Sequence, residues 1–306
     1  MTQPISPDAL DRLTTEASNA ASQRLDQLTA TEIVDLMNAE DTKVSAAVAA
    51  EAPRIAQAIE IIADRLRHGG RLIYLGAGTS GRLGVLDATE CPPTFSTDPS
   101  QVVGLIAGGN AALTRAIEGA EDRPELAVAD LEAVRVSERD VVVGIAASGR
   151  TPYVIGGLEF ARKRGARTIG LTCNSSSELS DAAEFVIAPV VGPEVLSGST
   201  RLKAGTATKM VLNMLTTGAM ALLGKTFGNL MVDLRATNAK LKARSIRILQ
   251  RLTSLDEADA DAQLAACGFE LKTAIVVVRG KISVEQARER IAMAGGQLRA
   301  ALENYS

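Results

Sequence analysis

Two loops carry the residue types best suited to hold an anion. The first is Gly76-Ala-Gly-Thr-Ser-Gly81, which follows the apolar run Arg71–Leu75 and opens a helix-forming stretch. Gly76, Gly78 and Gly81 satisfy the spacing GxGxxG, so a dinucleotide site is one rival reading. Such a site needs an acid about 20 residues on, at the end of a second strand, to hold a ribose. Asp98 sits at that distance, but inside Cys91-Pro-Pro-Thr-Phe-Ser-Thr-Asp-Pro99, which is no strand. Thr79 and Ser80 point to something smaller: hydroxyls and backbone N–H groups at a helix N-terminus seat a single phosphate. A tight turn without a ligand is the bland alternative. The second loop lies in Asp140-Val-Val-Val-Gly-Ile-Ala-Ala-Ser-Gly-Arg-Thr-Pro-Tyr153. Ser148, Gly149, Arg150 and Thr151 fall at a strand's carboxyl end, with Pro152 at the first helical position. In an open parallel sheet, ligands bind at those ends. Two hydroxyl-rich loops on one edge indicate a phosphorylated sugar. A third glycine pattern, Gly218-Ala-Met-Ala-Leu-Leu-Gly-Lys-Thr226, has five residues between its glycines where a P-loop has four, and it lies in a helix.

Other chemistries are closed off by what is scarce. His68 is the only histidine, and Cys91, Cys173 and Cys267 are far apart with no CxxC. A zinc site built on histidine and cysteine and a Ser-His-Asp triad are thereby excluded, and three scattered cysteines suit a reducing cytoplasm. Catalysis is left to carboxylates, hydroxyls, lysine and backbone. Lys plus Arg number 33 against 36 Asp plus Glu, and aromatics are 3 % with no Trp. That balance offers no basic or stacking surface for nucleic acid and no patch for an anionic membrane. No run of 18 apolar residues is present, and the N-terminus has early acids and no apolar core, so neither a membrane span nor a signal peptide is expected.

The elements that must position these loops follow from the hydrophobic pattern. Residues 1–67 read as helical, with Ala47–Arg67 amphipathic and Gly69-Gly70 as its stop. Apolar runs at Arg71–Leu75, Val102–Ile106, Asp140–Ala146, Arg167–Leu171 and Phe185–Val190 alternate with helix-length segments. Continuous apolar runs separated by crossover helices predict an α/β three-layer sandwich with a five-stranded parallel sheet. Arg201–Gly224 predicts one long helix, Thr237–Gln250 a basic amphipathic helix, and Asp256–Ala266, Glu270–Val278 and Ser283–Ala292 three short ones. The chain of 306 residues then divides into an N-terminal helical arm (1–56), a sugar-phosphate-binding domain (57–224) and a C-terminal helical region (225–306).

The strand–Ser-Gly-Arg-Thr–helix loop resembles that of sugar isomerase (SIS) domains. Four longer segments resemble the N-acetylmuramic acid 6-phosphate etherase family: Thr15-Glu-Ala-Ser-Asn19; Leu75-Gly-Ala-Gly-Thr-Ser-Gly-Arg-Leu-Gly-Val-Leu-Asp-Ala-Thr-Glu-Cys-Pro-Pro-Thr-Phe95; Glu118-Gly-Ala-Glu-Asp122; and Gly198-Ser-Thr-Arg-Leu-Lys-Ala-Gly-Thr-Ala-Thr-Lys209. The resemblance spans residues 15 to about 250. It implies the SIS fold and a homodimeric cytoplasmic lyase of cell-wall sugar recycling. Its substrates would be a phosphorylated amino sugar and water, and its products N-acetylglucosamine 6-phosphate and D-lactate. A relative of another class, the glucokinase regulatory protein, implies the alternative of a non-catalytic sugar-phosphate sensor. An aldose–ketose isomerase on the same fold is a third reading.

The implied reaction needs no metal. In the open-chain sugar, C1 is an aldehyde and the C2 proton is acidic. A carboxylate removes it, the lactyl oxygen leaves C3 with help from an acid, and water adds back by the reverse steps. The resemblance gives the two acidic roles to Glu90 and Glu121 without saying which takes which proton. Glu90 is expected to follow the helix and to precede a chain fixed by Pro92 and Pro93, in a semi-apolar setting. Glu194, Ser197, Ser199, Thr200 and Lys203 are expected to complete the sugar site. Lys209 reads as a surface charge, His68 as a helix-end residue, and Cys91 lacks a histidine to activate it. The C-terminal helices read as a packing or oligomerisation element.

Overall fold

The computed structural model describes residues 13–234 and 239–303. These form two compact units, one of residues 13–89 and 100–216, the other of residues 90–99, 217–234 and 239–303.

In the first unit, α1 (Ala30–Ala50) opens with a capping box in which the Glu32 N–H donates to the Thr29 hydroxyl and the Thr29 N–H donates back to the Glu32 carboxylate. The amphipathic run from Ala47 is two helices rather than one: α2 (Ala52–Arg67) restarts at Glu51 with Pro53 in its first turn. It buries Ile55, Ala58, Ile62 and Leu66 along one stripe. Gly69, at φ +78°, then turns the chain, and the Gly70 N–H donates to the Arg65 carbonyl.

Five strands follow, all parallel: β1 (Leu72–Gly76), β2 (Val102–Ile106), β3 (Val141–Ile145), β4 (Arg167–Leu171) and β5 (Phe185–Ile187). Their spatial order is β2-β1-β3-β4-β5. β1 and β3 are wholly buried, as their unbroken apolar sequences require of strands covered on both faces. At the amino end, Arg71 donates from Nε and from a terminal nitrogen to the two oxygens of Asp140, the residue before β3. The crossover helices are α3 (Gly78–Phe95), α4 (Pro124–Ala133), α5 (Pro152–Lys163) and a short α6 (Leu179–Ala182); α7 (Lys203–Leu222) is the long helix expected from Arg201. Ile73, Leu75, Val142, Val154, Leu158 and Leu131 form the heart of one core cluster.

Two local expectations fail. Of the stretch 1–67 expected to be helical, residues 13–29 form turns and two short 3-10 helices, Ala20–Ser22 and Leu25–Gln27, and residues 1–12 lie outside the described residues. Glu90 does not follow α3 but lies within it, because the helix runs on through Pro92 and Pro93 to Phe95. Proline has no N–H to give to the preceding turn, yet its fixed φ is helical, and the turn is closed by the Ser96 N–H donating to the Pro92 carbonyl.

In the second unit, β6 (Thr226–Phe227) and β7 (Leu230–Met231) pair antiparallel around Gly228-Asn229. The three expected short helices are present as α9 (Glu257–Ala266), α10 (Leu271–Gly280) and α11 (Val284–Met293), after α8 (Ala239–Thr253). Thr237 and Asn238, the expected start of α8, lie outside the described residues. A last helix, α12 (Leu298–Glu303), and the hairpin were not expected. Gly-Asn between apolar pairs is a hairpin signal, but strands of two residues are too short to show alternation. Leu249, Leu264, Ile275, Ala287 and Leu298 share the core of this unit. Among the described residues no helix is long and apolar enough to cross a membrane.

Candidate active site

Strand order decides where the two loops meet. β2 lies on one side of β1 and β3 on the other, so consecutive crossovers leave the sheet in opposite directions between β1 and β3. Gly76 stands opposite Ile145 at the carboxyl ends of these neighbours. The loops that follow flank the crevice where open α/β sheets take their ligands.

The glycine loop is shaped by close approach. A Cβ on Gly76 would fall 2.7 Å from the Gly81 nitrogen, and one on Gly81 would fall 2.6 Å from Ile106 Cγ1. Only glycine at both positions lets α3 begin this near its strand. Thr79 and Ser80 are half-buried in the first turn of α3, beside its free N–H groups. In the second loop Gly149 has φ +72°, and a Cβ there would meet Ser177 at 2.4 Å. Ser148 accepts the Arg150 N–H, and Arg150 is held by Glu178 at 3.0 Å. Thr151 is the N-cap of α5.

Asn174, at the carboxyl end of β4, fixes this second loop and escaped the sequence reading. Its amide lies within hydrogen-bond distance of the carbonyls of Ala147 and Ser148 and of the Thr15 hydroxyl, while the Thr14 hydroxyl donates to its oxygen. Asn19 donates to the Pro193 carbonyl. The segment Thr15–Asn19 thus ties the loops after β4 and β5. The signal available was the rule already applied to β1 and β3: Asn174-Ser-Ser-Ser177 is a polar run at a strand's carboxyl end.

Glu121 lies on the same side. Gly78, Arg82, Arg115, Glu118, Gly119 and Glu121 are among the residues around a cavity of about 230 Å³. Arg82 donates to the carbonyls of Ala112 and Arg115, pinning the loop that leads to Glu121. The Tyr153 N–H donates to the Glu121 carbonyl at 3.0 Å. Glycine loop, second loop and Glu121 are therefore brought together, and Glu121 is exposed. Glu90 is also exposed, twelve residues beyond Gly78 on α3, about 18 Å of helix axis.

Glu194 and Lys203 have other partners. Glu194 is fully buried, and its two oxygens accept the N–H groups of Lys203 and Ala204 at 3.0 and 2.9 Å. It caps α7. Lys203 Nζ is buried on Glu40, which also takes Lys43. Burial pushes the Glu40 carboxyl up, but donation from the two lysines and Asn19 outweighs it and holds the group at about 2. These residues set the start of α7 beside the glycine loop, where a Cβ on Gly205 would be 3.7 Å from Thr79 Cγ2. Ser197 is exposed and Ser199 half-buried in the loop between. Lys209 is exposed; the His68 N–H closes the last turn of α2, and its ring Nδ1 lies 2.8 Å from the Asp64 carbonyl.

Asp87 is the buried acid of α3. Tyr74 donates to its Oδ2 at 2.8 Å, and the Thr216 hydroxyl lies 3.2 Å from Oδ1. Burial pushes its carboxyl up to about 6, against the pull of both hydroxyls and of Lys209. The folded state thus holds the proton more tightly than the unfolded chain. Between the ordinary carboxylate value and about 6 the native state binds more protons, so stability from this group falls as pH rises and levels off above 6. Asp87→Asn removes that slope. Thermal melts between pH 4.5 and 7.5 should show the wild type losing about 2 kcal/mol relative to the variant. Parallel curves would contradict the assignment.

Known proteins match along nearly the whole chain. The family description "Glucokinase regulatory protein N-terminal SIS domain" matches residues 54–162, "SIS domain" residues 125–218, and "C-terminal lid domain of glucokinase regulatory protein" residues 228–272. An N-acetylmuramic acid 6-phosphate etherase of Rhodopirellula baltica is 60% identical over 94% of this chain and 96% of its own. One from Vibrio cholerae is 54% identical over 96% and 98%, and one from Streptomyces avermitilis 56% over 96% and 94%. Among solved structures, a phosphoheptose isomerase from Francisella tularensis matches with a TM-score of 0.47 at 16% identity, covering 64% of this chain and 98% of that one.

Proposed function

The chain belongs to the N-acetylmuramic acid 6-phosphate etherase family, and on that premise we propose that it is a carbon–oxygen lyase cleaving the D-lactyl ether of N-acetylmuramic acid 6-phosphate with water. The products are N-acetylglucosamine 6-phosphate and D-lactate, and the setting is recycling of cell-wall amino sugars in the cytoplasm. The observation that carries the reading within this molecule is the convergence of two hydroxyl-rich loops and Glu121 at the carboxyl ends of β1 and β3.

The reaction divides into tasks that these residues can meet. Thr79 and Ser80, with the first-turn N–H groups of α3, and Ser148, Gly149, Arg150 and Thr151 hold the phosphate and sugar. Ser197 and Ser199 close the sugar side, on a loop kept in place by Glu194 and Lys203. One carboxylate of the pair Glu90 and Glu121 takes the C2 proton of the open-chain aldehyde, and the electrons pass to the carbonyl to give an enol-like intermediate. They return to expel the lactyl oxygen from C3, which receives a proton from the other acid. Water then adds at C3 and C2 is reprotonated, so protons and electrons balance without a metal.

Glu90 stands about 18 Å along the helix from the phosphate seat at Gly78. The phosphate and the ether of one hexosamine are no more than a sugar ring apart. The reading therefore takes Glu90 from a second copy of the chain in a symmetric homodimer.

The second reading, a sugar-phosphate sensor, draws on the matches to two domains of the glucokinase regulatory protein. Product analysis separates the readings: D-lactate supports the lyase, a ketose phosphate an isomerase, and unchanged substrate a sensor.

A further inference from the structure

The second unit contains a cavity of its own, of about 230 Å³, remote in composition from any catalytic motif. Ser96, Lys225, Asp233, Lys272 and Thr273 are among its lining residues. We propose that this cavity is a second anion site, independent of the sugar site, which takes a phosphate group, free or carried by a small ester, between Lys225, Lys272 and Ser96.

The charge count comes first. Asp233 bridges two ammonium groups, with Lys225 Nζ 2.6 Å from one oxygen and Lys272 Nζ 3.3 Å from the other. One carboxylate faces two cations, which leaves one positive charge over. Lys272 is nine-tenths buried, where an uncompensated charge is costly. Burial accordingly depresses its ammonium, with Lys225 adding to the effect and Asp233 opposing it. Glu270 also lines the cavity, with its charge paired by Arg288. Its carboxylate is taken by the Thr273 hydroxyl at 2.9 Å and by Arg288 at 3.0 and 3.3 Å.

Further donors belong to residues that line the same cavity. Lys272 Nζ has the Gly296 carbonyl and Asp233 for its three protons. Among the described residues, Lys225 has Asp233 alone. Ser96 Oγ is buried without a hydrogen-bond partner, on a residue at φ +50° just past the end of α3. A buried hydroxyl left unpaired costs free energy comparable to a lost hydrogen bond, and an oxyanion in the cavity beside Ser96 offers it an acceptor. The amino end of α10 adds to this: Glu270 provides no side-chain cap, so the first-turn N–H groups of Leu271, Lys272 and Thr273 have no helical partner. Two ammonium groups, an orphaned hydroxyl and an uncapped helix end make an oxyanion the complementary guest.

The test is isothermal titration of the full chain in a Thr79→Val/Ser80→Ala/Ser148→Ala/Thr151→Val background, which removes the side-chain hydroxyls of both sugar-phosphate loops. Because it reads binding in the second unit and no activity, it stands or falls separately from the lyase reading. With inorganic phosphate, and in a second arm with N-acetylglucosamine 6-phosphate, about one equivalent is expected to bind in at least one arm. Lys225→Met should weaken it about tenfold or more, and Lys225→Arg should retain most of it. Ser96→Ala should weaken binding while leaving the melting temperature without phosphate unchanged or raised, because the hydroxyl it removes is unpaired. No binding in either arm, or binding indifferent to both Lys225→Met and Ser96→Ala, would overturn the site. So would a melting temperature lowered by Ser96→Ala in phosphate-free buffer, since the hydroxyl would then serve the fold alone.

Discussion

Glu90→Gln and Glu121→Gln each lower D-lactate release by about 10²-fold to 10⁴-fold, the contribution of a well-placed acid or base. Glutamine keeps the shape and hydrogen-bonding reach of the side chain but neither accepts the C2 proton nor supplies one to the leaving oxygen. Both glutamates are exposed, so the exchange should change stability by no more than about 0.5 kcal/mol. Glu121 holds Tyr153 through its backbone carbonyl, which the substitution leaves in place. The loss should therefore appear in kcat with an unchanged melting temperature. Near-normal turnover in either variant would remove that residue from the chemistry.

Mixing the two dead variants restores activity. If each site combines Glu121 of one copy with Glu90 of its partner, a mixed dimer carries one site with both substitutions and one with neither. Random reassortment of equal amounts then recovers about a quarter of the wild-type rate in a twofold dimer. If both glutamates serve the sugar from one chain, every site stays defective and the mixture is as inactive as its parts. The expectation rests on the length of α3, which carries Glu90 about 18 Å from the glycine loop. It needs only subunit exchange, by dilution or brief mild denaturant, and a lactate assay.

The sheet was legible because strands buried on both faces are written as unbroken apolar runs, and each of the five runs became a strand. Their order was not, since period and length say nothing about which crossovers go left or right. Yet that order makes the Thr79–Ser80 and Ser148–Thr151 loops neighbours. The glycine spacing was visible, but its cause, the Gly76–Gly81 and Gly149–Ser177 approaches, belongs to packing. Pro92-Pro93 misled for a local reason: proline ends a helix when its missing N–H matters, and less at the last turn. Glu194 and Lys203 lie in the segment next to the proposed sugar site, but burial decides what they touch, and it gave their polar atoms to the α7 N-terminus and to Glu40. Asn174 carries no motif beyond its place after β4, and its role is set by carbonyls that only the fold brings within reach.

The claim beneath all of this is that the sugar's own aldehyde stores the electrons while carboxylates move the protons at C2 and C3. Turnover of N-acetylmuramic acid 6-phosphate in deuterium oxide tests it most directly, with the isolated N-acetylglucosamine 6-phosphate read by NMR and mass spectrometry. Deuterium at C2, with one equivalent of D-lactate formed, is the predicted result. D-lactate released beside a product that has kept its original hydrogen at C2 would contradict the account.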